Sequence, residues 1–273
     1  MNRTGRALKS FYEDVGECYP EEDEVYSTLR GQLRKKFVLS YLKKFTGRLL
    51  DIGCNRGMYL AAYTGGSRFG VDISISVLKK AHKSAPLNLC VADAERLQCF
   101  RPACFDFILC SEVLEHCLNP EDVFRGIARL LQSGGRALLT TPNWRKNRPR
   151  WISLGPLEFF GVRSALEEGY YHTAYQPVEL EKMAIDAGLT ILESGTLERE
   201  VKYAAKIPAV FFILGRLVNK IVNSDRFSRI NELFFHRSTQ WIYQICRITK
   251  LEFILLKFIN DGVRSFVFIE KTK

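Results

Sequence analysis

Glu112, Glu115 and His116 stand at positions i, i+3 and i+4 of the stretch Ser111-Glu112-Val113-Leu114-Glu115-His116. On a helix those positions share one face, so two carboxylates and an imidazole would project together. Such a face can line a polar substrate, with His116 alone exchanging a proton near its ordinary pKa of about 6.5, or it can hold a divalent cation. A second stretch with chemical potential comes earlier. Leu49-Leu50-Asp51-Ile52-Gly53-Cys54-Asn55-Arg56-Gly57 runs an apolar strand end into a turn. Gly53 and Gly57 permit positive φ or close backbone approach, and Asn55 is the non-glycine residue that best tolerates left-handed backbone. By itself this is either a structural turn or a ligand cradle. Asp72, in Arg68–Ser74, follows about 20 positions later, the distance at which a carboxylate meets a ribose hydroxyl pair, and turns the balance toward a nucleoside.

These residues need strands and helices to hold them. Strands are expected at Leu49–Ile52, at Arg68–Ser74, at Leu87–Ala92 running into Asp93-Ala94, and at Phe105–Cys110 running into Ser111-Glu112. Helices are expected at Met58–Tyr63, Ile75–His82, Pro120–Leu131 and Pro177–Ala187. Gly134-Gly135 breaks the chain before a strand Arg136–Thr141, and Gly188 leads into a strand Leu189–Glu193. The alternation predicts an α/β fold with a doubly wound, mostly parallel sheet, whose ligands sit at the carboxyl ends of the strands.

LLDIGCNRG, GVDIS, VADAERL, FDFILCSEVLEH and GGRALLTTPN, in this order, resemble the class I S-adenosylmethionine-dependent methyltransferases over roughly Leu49–Gly195. Dinucleotide dehydrogenases share a similar first turn, but their fingerprint is G-x-G-x-x-G, whereas Gly53 and Gly57 here flank Asn55. Asn55 also replaces the glycine of the commoner methyltransferase form. The resemblance implies a seven-stranded Rossmann-like sheet closed by an antiparallel strand, for which Ser265–Glu270 is the candidate. It implies S-adenosylmethionine as cofactor. Asp51, Gly53, Asn55 and Gly57 would serve its methionine end and Asp72 its ribose hydroxyls. Ile73 would pack on the adenine and Asp93 meet its amino group, with Ala94 and Ser111 completing the set. The acceptor would lie beside Glu112, Glu115 and His116 as the catalytic group.

Glu-x-x-Glu-His resembles the motif of ubiquinone-pathway O-methyltransferases and of small-RNA 2′-O-methyltransferases, both of which hold a divalent cation there. In the RNA enzymes a downstream histidine completes the set, and His172 lies in the corresponding region. Glu112, Glu115, His116 and His172 would suit Mn²⁺, Fe²⁺ or Zn²⁺ better than Mg²⁺. His82 and His236 have no comparable context and read as surface or packing residues.

A length of 273 residues with 47% hydrophobic content is enough for a full core and excludes a disordered chain. Eight cysteines, several inside predicted elements and none in a C-x-x-C pair, argue against a zinc–thiolate site. With no signal-like leader ahead of them, they fit a reducing cytoplasm. A net charge of +10 favours phosphate, nucleic acid or an anionic membrane face without choosing among them.

The expected organisation is an N-terminal segment, 1–46, and a methyltransferase domain, 47–273, with an apolar and basic helical insertion at 195–262. Within the first, Met1–Pro20 reads as a loose arm, Glu21–Glu24 as an acidic run, and Val25–Phe45 as an amphipathic helix with a basic face. The insertion is either a cap on the sheet or an interfacial surface dipping into lipid headgroups. The basic, aromatic stretch Trp144–Trp151 is a solvated loop, a phosphate site for a lipid or sugar headgroup, or an RNA contact. The expected activity is O-methylation of a hydrophobic or lipid-linked small molecule, in the cytoplasm or at the cytoplasmic membrane face with peripheral membrane contact. A metal-dependent RNA 2′-O-methyltransferase and a non-catalytic cofactor-binding scaffold are the alternatives.

Overall fold

Leu49, Leu50 and Ile52 are all fully buried, and Asp51 between them is only 2% exposed, so β1 (Leu49–Ile52) is covered on both faces. A short strand with no polar face belongs in the middle of a parallel sheet. The computed structural model describes residues 3–84, 87–144, 151–154, 156–163 and 169–272, and places β1 there. The other strands of this sheet are β2 (Arg68–Asp72), β3 (Asn88–Val91), β4 (Phe105–Ser111) and β5 (Leu131–Pro142), with two further strands near the end of the chain. The antiparallel pair β6 (Trp151–Ile152) and β7 (Tyr170–Tyr171) forms a separate two-stranded sheet, and β8 (Thr190–Leu197) and β9 (Arg264–Glu270) complete the seven. Their order is β3-β2-β1-β4-β5-β9-β8. The pairs β1–β2, β2–β3, β1–β4 and β4–β5 are parallel, and β9 runs antiparallel to β5.

The chain winds outward from β1 to β3 and then returns to lay β4 beside β1. That reversal opens a crevice at the carboxyl ends of β1 and β4, the standard ligand position of such sheets. Helices α1 (Arg3–Cys18), α2 (Glu21–Tyr26) and α3 (Leu29–Leu42) precede the sheet, and α4 (Met58–Ala62), α5 (Ile75–Ser84) and α6 (Pro120–Leu130) link its parallel strands. After β5 come α7 (Pro156–Phe159) and α8 (Pro177–Asp186), and between β8 and β9 lie α9 (Glu200–Ala204), α10 (Lys206–Val222), α11 (Asp225–Ile248) and α12 (Leu251–Leu255). The core on one side of the sheet is built from α6 and α8 on the strands, with Phe124, Ile127, Leu180 and Val267 among its buried members.

Three local readings change. Met1–Pro20 is not a loose arm over its described part, because Leu8 and Phe11 are buried and give α1 an apolar face. The Glu13 carboxylate accepts from the amides of Ile75 (2.8 Å) and Ser76 (3.0 Å) at the start of α5. Lys80 of α5 returns the favour by donating to the carbonyls of Gly16 (2.6 Å) and Glu17 (3.0 Å) at the end of α1. Each helix therefore caps the other. The expected helix Val25–Phe45 is two helices, since Thr28 Oγ1 accepts from the Gly31 amide at 3.2 Å and starts α3 as an N-cap residue does. Gly134-Gly135 does not precede β5 but lies inside it, as a bulge where the register with β4 shifts between Phe105 and Phe107.

Two units divide the chain. One comprises Met1–Glu22, Phe37–Gly195 and Arg264–Lys273, and holds the sheet; the other comprises Asp23–Lys36 and Thr196–Val263. The second unit has its own small core of Leu29, Val201, Tyr203, Ala204, Tyr243 and Cys246. The basic stretch around Trp144–Trp151 lies, from 145 to 150, outside the described residues.

Glu13 supplies a test of this packing. Burial pushes its carboxyl up, but hydrogen bonds from Ser76 and Ser74 and from the Ile75 and Ser76 amides bring it below the usual glutamate value. A depressed folded-state pKa stabilises above the unfolded value of about 4.5, and that contribution disappears as pH falls through the folded value. Glu13→Ala should cost about 0.5–2 kcal/mol in urea denaturation at neutral pH, with a smaller difference from the unmutated protein in acid. Faster hydrogen exchange of the Ile75 and Ser76 amides should accompany it, and unchanged exchange would refute the capping role.

Candidate active site

Three alternate residues shape the turn after β1. Gly53 (φ 71°), Asn55 (φ 47°) and Gly57 (φ 79°) are all left-handed, which reverses the chain tightly before α4. A Cβ on Gly53 would overlap Cγ2 of Val113, which follows β4, so glycine is what lets the two strand ends close on each other. At the end of β2, Asp72 accepts from the Asn55 amide through Oδ2 (3.0 Å) and from the Ser74 amide through Oδ1 (3.0 Å). The Asn55 side chain in turn donates to Glu21 Oε2 at 2.6 Å. The cradle is thus tied to the β2 end and to the start of α2.

Asp51 sits beneath this cradle with its Oδ2 buried and unpartnered. Burial drives its carboxyl well above the usual range, and the acids Asp72 and Glu22 push it in the same direction. A buried carboxylate surrounded by acids calls for a cation. Farther along the sheet edge, Ile73 follows Asp72 half-buried, and Asp93 and Ala94 form the half-buried turn after β3. Asp93 Oδ1 accepts from the Glu95 amide at 2.9 Å. The Glu95 carboxylate accepts from the amides of Leu118 (2.6 Å) and Asn119 (3.0 Å), joining the β3 turn to the segment after β4. Ser111 differs from the other cofactor candidates in that its hydroxyl lies 2.9 Å from Thr140 Oγ1, across the sheet on β5.

The stretch after β4 is not the regular helix that the i, i+3, i+4 spacing suggests. Glu112 is left-handed at φ 59° while its amide still donates to Thr140 O at 2.9 Å, and only Leu114–His116 makes a short 3₁₀ turn. Glu112 therefore points elsewhere from its two partners. Its Oε2 accepts from Arg264 Nε at 2.6 Å and its Oε1 from Thr140 Oγ1 at 3.1 Å. Glu115 is buried, with Oε2 3.2 Å from Thr141 Oγ1, and its carbonyl accepts from the Thr173 amide at 2.9 Å, which draws in the neighbouring His172. Among the described residues, Glu115, His116 and His172 each present a ligand atom within 4.8 Å of the others. Glu112 falls outside that group, so three of the four expected ligands converge.

His116 departs from its expected ordinary pKa. Burial and the neighbouring His172 lower it to about 3, and its buried Nδ1 has no partner. Burial and Arg264 lower His172 as well. Both imidazoles are neutral at physiological pH, which leaves lone pairs free for a ligand. Around them, the Tyr12 ring lies 5.4 Å from His116 and the His172 ring 5.2 Å, both edge-on, and Phe11 stacks on Tyr170 at 5.0 Å. The Tyr12 hydroxyl is buried and unpartnered beside His116.

Sequence reasoning missed Tyr12, Tyr170 and Arg264 at this site. For Tyr12 a signal existed, because Leu8, Phe11, Tyr12 and Val15 repeat at i, i+3, i+4 and i+7. For Arg264 there was none, since its approach to Glu112 depends on β9 pairing antiparallel with β5.

A seven-stranded, mostly parallel sheet with a left-handed cradle after β1, an acid at the end of β2 and a carboxylate–imidazole cluster past β4 is a Rossmann-like methyltransferase fold. Known proteins agree. The family described as "Methyltransferase domain" matches residues 50–139. The "Ubiquinone biosynthesis O-methyltransferase" of Chromobacterium violaceum is 30% identical over 166 residues, 58% of this chain and 70% of that protein. Its namesake in Nitrosomonas europaea is 30% identical over 186 residues, 63% of this chain and 77% of that protein. Among solved structures, Haemonchus contortus phosphoethanolamine N-methyltransferase 2 in complex with S-adenosyl-L-methionine has a TM-score of 0.54. At 18% identity, covering 97% of this chain and 57% of that one, it is a likeness of fold. The chain belongs to the class I S-adenosylmethionine-dependent methyltransferase family, and S-adenosylmethionine is its cofactor. The uncompensated Asp51 and the Cβ-free approach at Gly53 fit the cationic methionine end of that molecule.

S-adenosylhomocysteine should bind with proton release. Asp51 is raised in the free protein, and an ammonium beside it favours the ionised form, so binding below the raised pKa expels a proton and affinity climbs with pH. Calorimetry in two buffers of different ionisation heat should show this; equal heats and pH-independent affinity would remove the Asp51 contact. Gly53→Ala should abolish detectable binding, through both the overlap with Val113 and the strain at φ 71°, whereas Gly53→Ala with Val113→Ala should recover part of it. Asp72→Ala should lose charge-assisted hydrogen bonds, each about 1.5–3 kcal/mol.

Proposed function

We propose that this enzyme methylates an oxygen of a hydrophobic or lipid-linked small molecule, with Glu115, His116 and His172 holding a divalent cation beside the acceptor. The convergence of these three side chains within 4.8 Å, just past the carboxyl end of β4, carries the reading. Their chemistry fits such an ion: a buried carboxylate supplies charge, and the unpartnered Nδ1 of neutral His116 supplies a lone pair. Mixed nitrogen and oxygen donors favour Mn²⁺, Fe²⁺ or Zn²⁺. When bound, the cation would act as a Lewis acid that lowers the pKa of an acceptor hydroxyl.

Methyl transfer from a sulfonium asks for alignment and for removal of one proton. The Gly53–Val113 approach sets the β1 cradle next to the β4 end and so fixes the donor side against the acceptor side. A His116 with a pKa of about 3 is a weak proton acceptor at neutral pH, which favours a ligand role over that of general base. Tyr12, Tyr170 and Phe11 form aromatic walls that suit an apolar ring or chain and keep water from the reacting oxygen. Thr141 holds Glu115 in place from β5. The names of the curated relatives support oxygen as the acceptor atom and a quinone-type ring as its carrier.

Titrating Mn²⁺ into the protein loaded with S-adenosylhomocysteine should show one site by calorimetry and by electron paramagnetic resonance. Glu115→Gln and His172→Ala should each weaken it by at least about tenfold, and Glu112→Gln by less. Chelation should abolish methylation of a prenylated catechol, and a divalent ion should restore it. Turnover that survives chelation would return His116 to the role of base, and methyl transfer to RNA 3′ ends but not to the catechol would replace the acceptor.

A further inference from the structure

The helices between β8 and β9 carry an apolar surface that their own packing does not consume. On α10, Pro208 is buried, Phe212 meets Phe235 of α11 with ring centroids 5.1 Å apart, and Gly215 comes so close that a Cβ would overlap Asn231. Asn231 donates to the Phe212 carbonyl at 2.9 Å, and Ser224 caps α11 by accepting from the Phe227 amide at 3.3 Å. Pro208, Phe212, Gly215 and Asn219 therefore form the seam of a fixed helical hairpin.

A second stripe lies away from that seam. Ile207, Phe211, Leu214, Leu217, Val218 and Ile221 recur at helical spacing and are all more than half exposed except Val218, at 47%. Lys206, Arg216 and Lys220 fall on a third sector of the same helix, at i, i+10 and i+14. On α11 the exposed side chains Trp241, Ile245 and Ile248 again share a face, and Phe253 and Phe258 are exposed at and just beyond α12. Ile221, Ile248 and Phe258 reach 80% exposure or more. So much apolar area on a folded surface marks an interaction site.

We infer that this hairpin is an interfacial anchor that lies flat in the headgroup region of an anionic lipid bilayer, with the α10 stripe and Trp241 entering the acyl boundary. Charge selects this occupant. Between Lys206 and Phe258 there are nine lysines and arginines against three acids. A second copy of the chain docking on the same face would set Lys206, Arg216 and Lys220 against their own counterparts, whereas anionic headgroups complement them. The anchor does not span: among the described residues no helix is long and apolar enough to cross a membrane. Long cationic stems beside an apolar stripe are what lets a helix sit at the boundary with its charges in the headgroups. The inference is independent of the acceptor and of the cation at Glu115, because its readout is binding to lipid alone.

The full-length protein should co-sediment with vesicles of phosphatidylglycerol and phosphatidylcholine, and much less with phosphatidylcholine alone. High salt should release part of it, since screening removes the charge attraction and leaves apolar insertion. Phe211→Asp with Leu214→Asp should weaken binding by about tenfold or more while S-adenosylhomocysteine affinity stays unchanged. A milder measurement stands behind it: brominated lipid should quench tryptophan emission, and Trp241→Phe should remove most of that quenching. Absence of sedimentation with anionic vesicles, or quenching indifferent to Trp241→Phe, would overturn the anchor. So would a concentration-dependent dimer in ultracentrifugation that the Phe211/Leu214 variant turns into a monomer.

Discussion

The site depends on one constraint, the closure of the β1 and β4 ends upon each other at the point where the strand order reverses. β1 is covered on both faces, so Asp51 is carried into the core by its neighbours Leu50 and Ile52 and cannot reach water for solvation. Only the chain's tight reversal at Gly53 keeps the crevice above it, because any side chain there would collide with Val113. The stability of the strand and the electrostatic demand of the site are two sides of one arrangement. A core strand that carries a buried acid without a counter-charge is costly, and any cation that meets Asp51 removes part of that cost.

The second feature of the site is a pair of imidazoles that burial keeps neutral. The aromatic side chains Tyr12 and Tyr170 exclude water from His116, and the exclusion itself lowers its basicity. Tyr12 comes from α1, which is held to α5 by the mutual capping through Glu13 and Lys80. A helix far from His116 in sequence thereby contributes an aromatic ring to the burial that lowers its pKa. Glu112 contributes differently. Left-handed backbone and the pairing with Arg264 turn its carboxylate toward β9. From there it acts on both imidazoles through its charge, in each case raising the pKa that burial lowers.

How much of this the sequence disclosed follows from how local each cause is. Strands β1 to β4 and the cradle residues Gly53, Asn55 and Gly57 were legible because apolar runs and left-handed turn residues act within a few positions. The closing strand at β9 was legible only through resemblance to a family. The conformation of Glu112 was not, since helical spacing assumes a helix, whereas the backbone there is still bonded to Thr140 on β5 and turns only afterwards. The break between α2 and α3 lay within reach: Thr28 precedes Gly31 by three residues, the spacing of an N-cap hydroxyl and its amide. The bulge at Gly134 and Gly135 was mistaken for a strand boundary, because a glycine pair signals irregular backbone without saying whether pairing resumes on both sides.

Hydrophobic pattern carries a similar ambiguity in the segment between β8 and β9. Ile207–Leu214 and Leu251–Ile259 are equally apolar in sequence, and such runs are compatible with a buried core or an exposed face. The fold separates the two uses within single helices. On α10 Pro208, Phe212, Gly215 and Asn219 occupy the packed seam, while most of the large aliphatic residues face outward, a second apolar face beside the packed one. On α11 the division is the usual one on its inner side, with Thr239, Tyr243 and Cys246 buried, but Trp241 and Ile248 face outward too. Such exposure has a cost in water, and the cost is removed only where something apolar meets those side chains. The enzyme's two units thus carry different unmet demands: a buried acid that burial keeps from ionising in the sheet unit, and an exposed apolar face with cations beside it in the helical one.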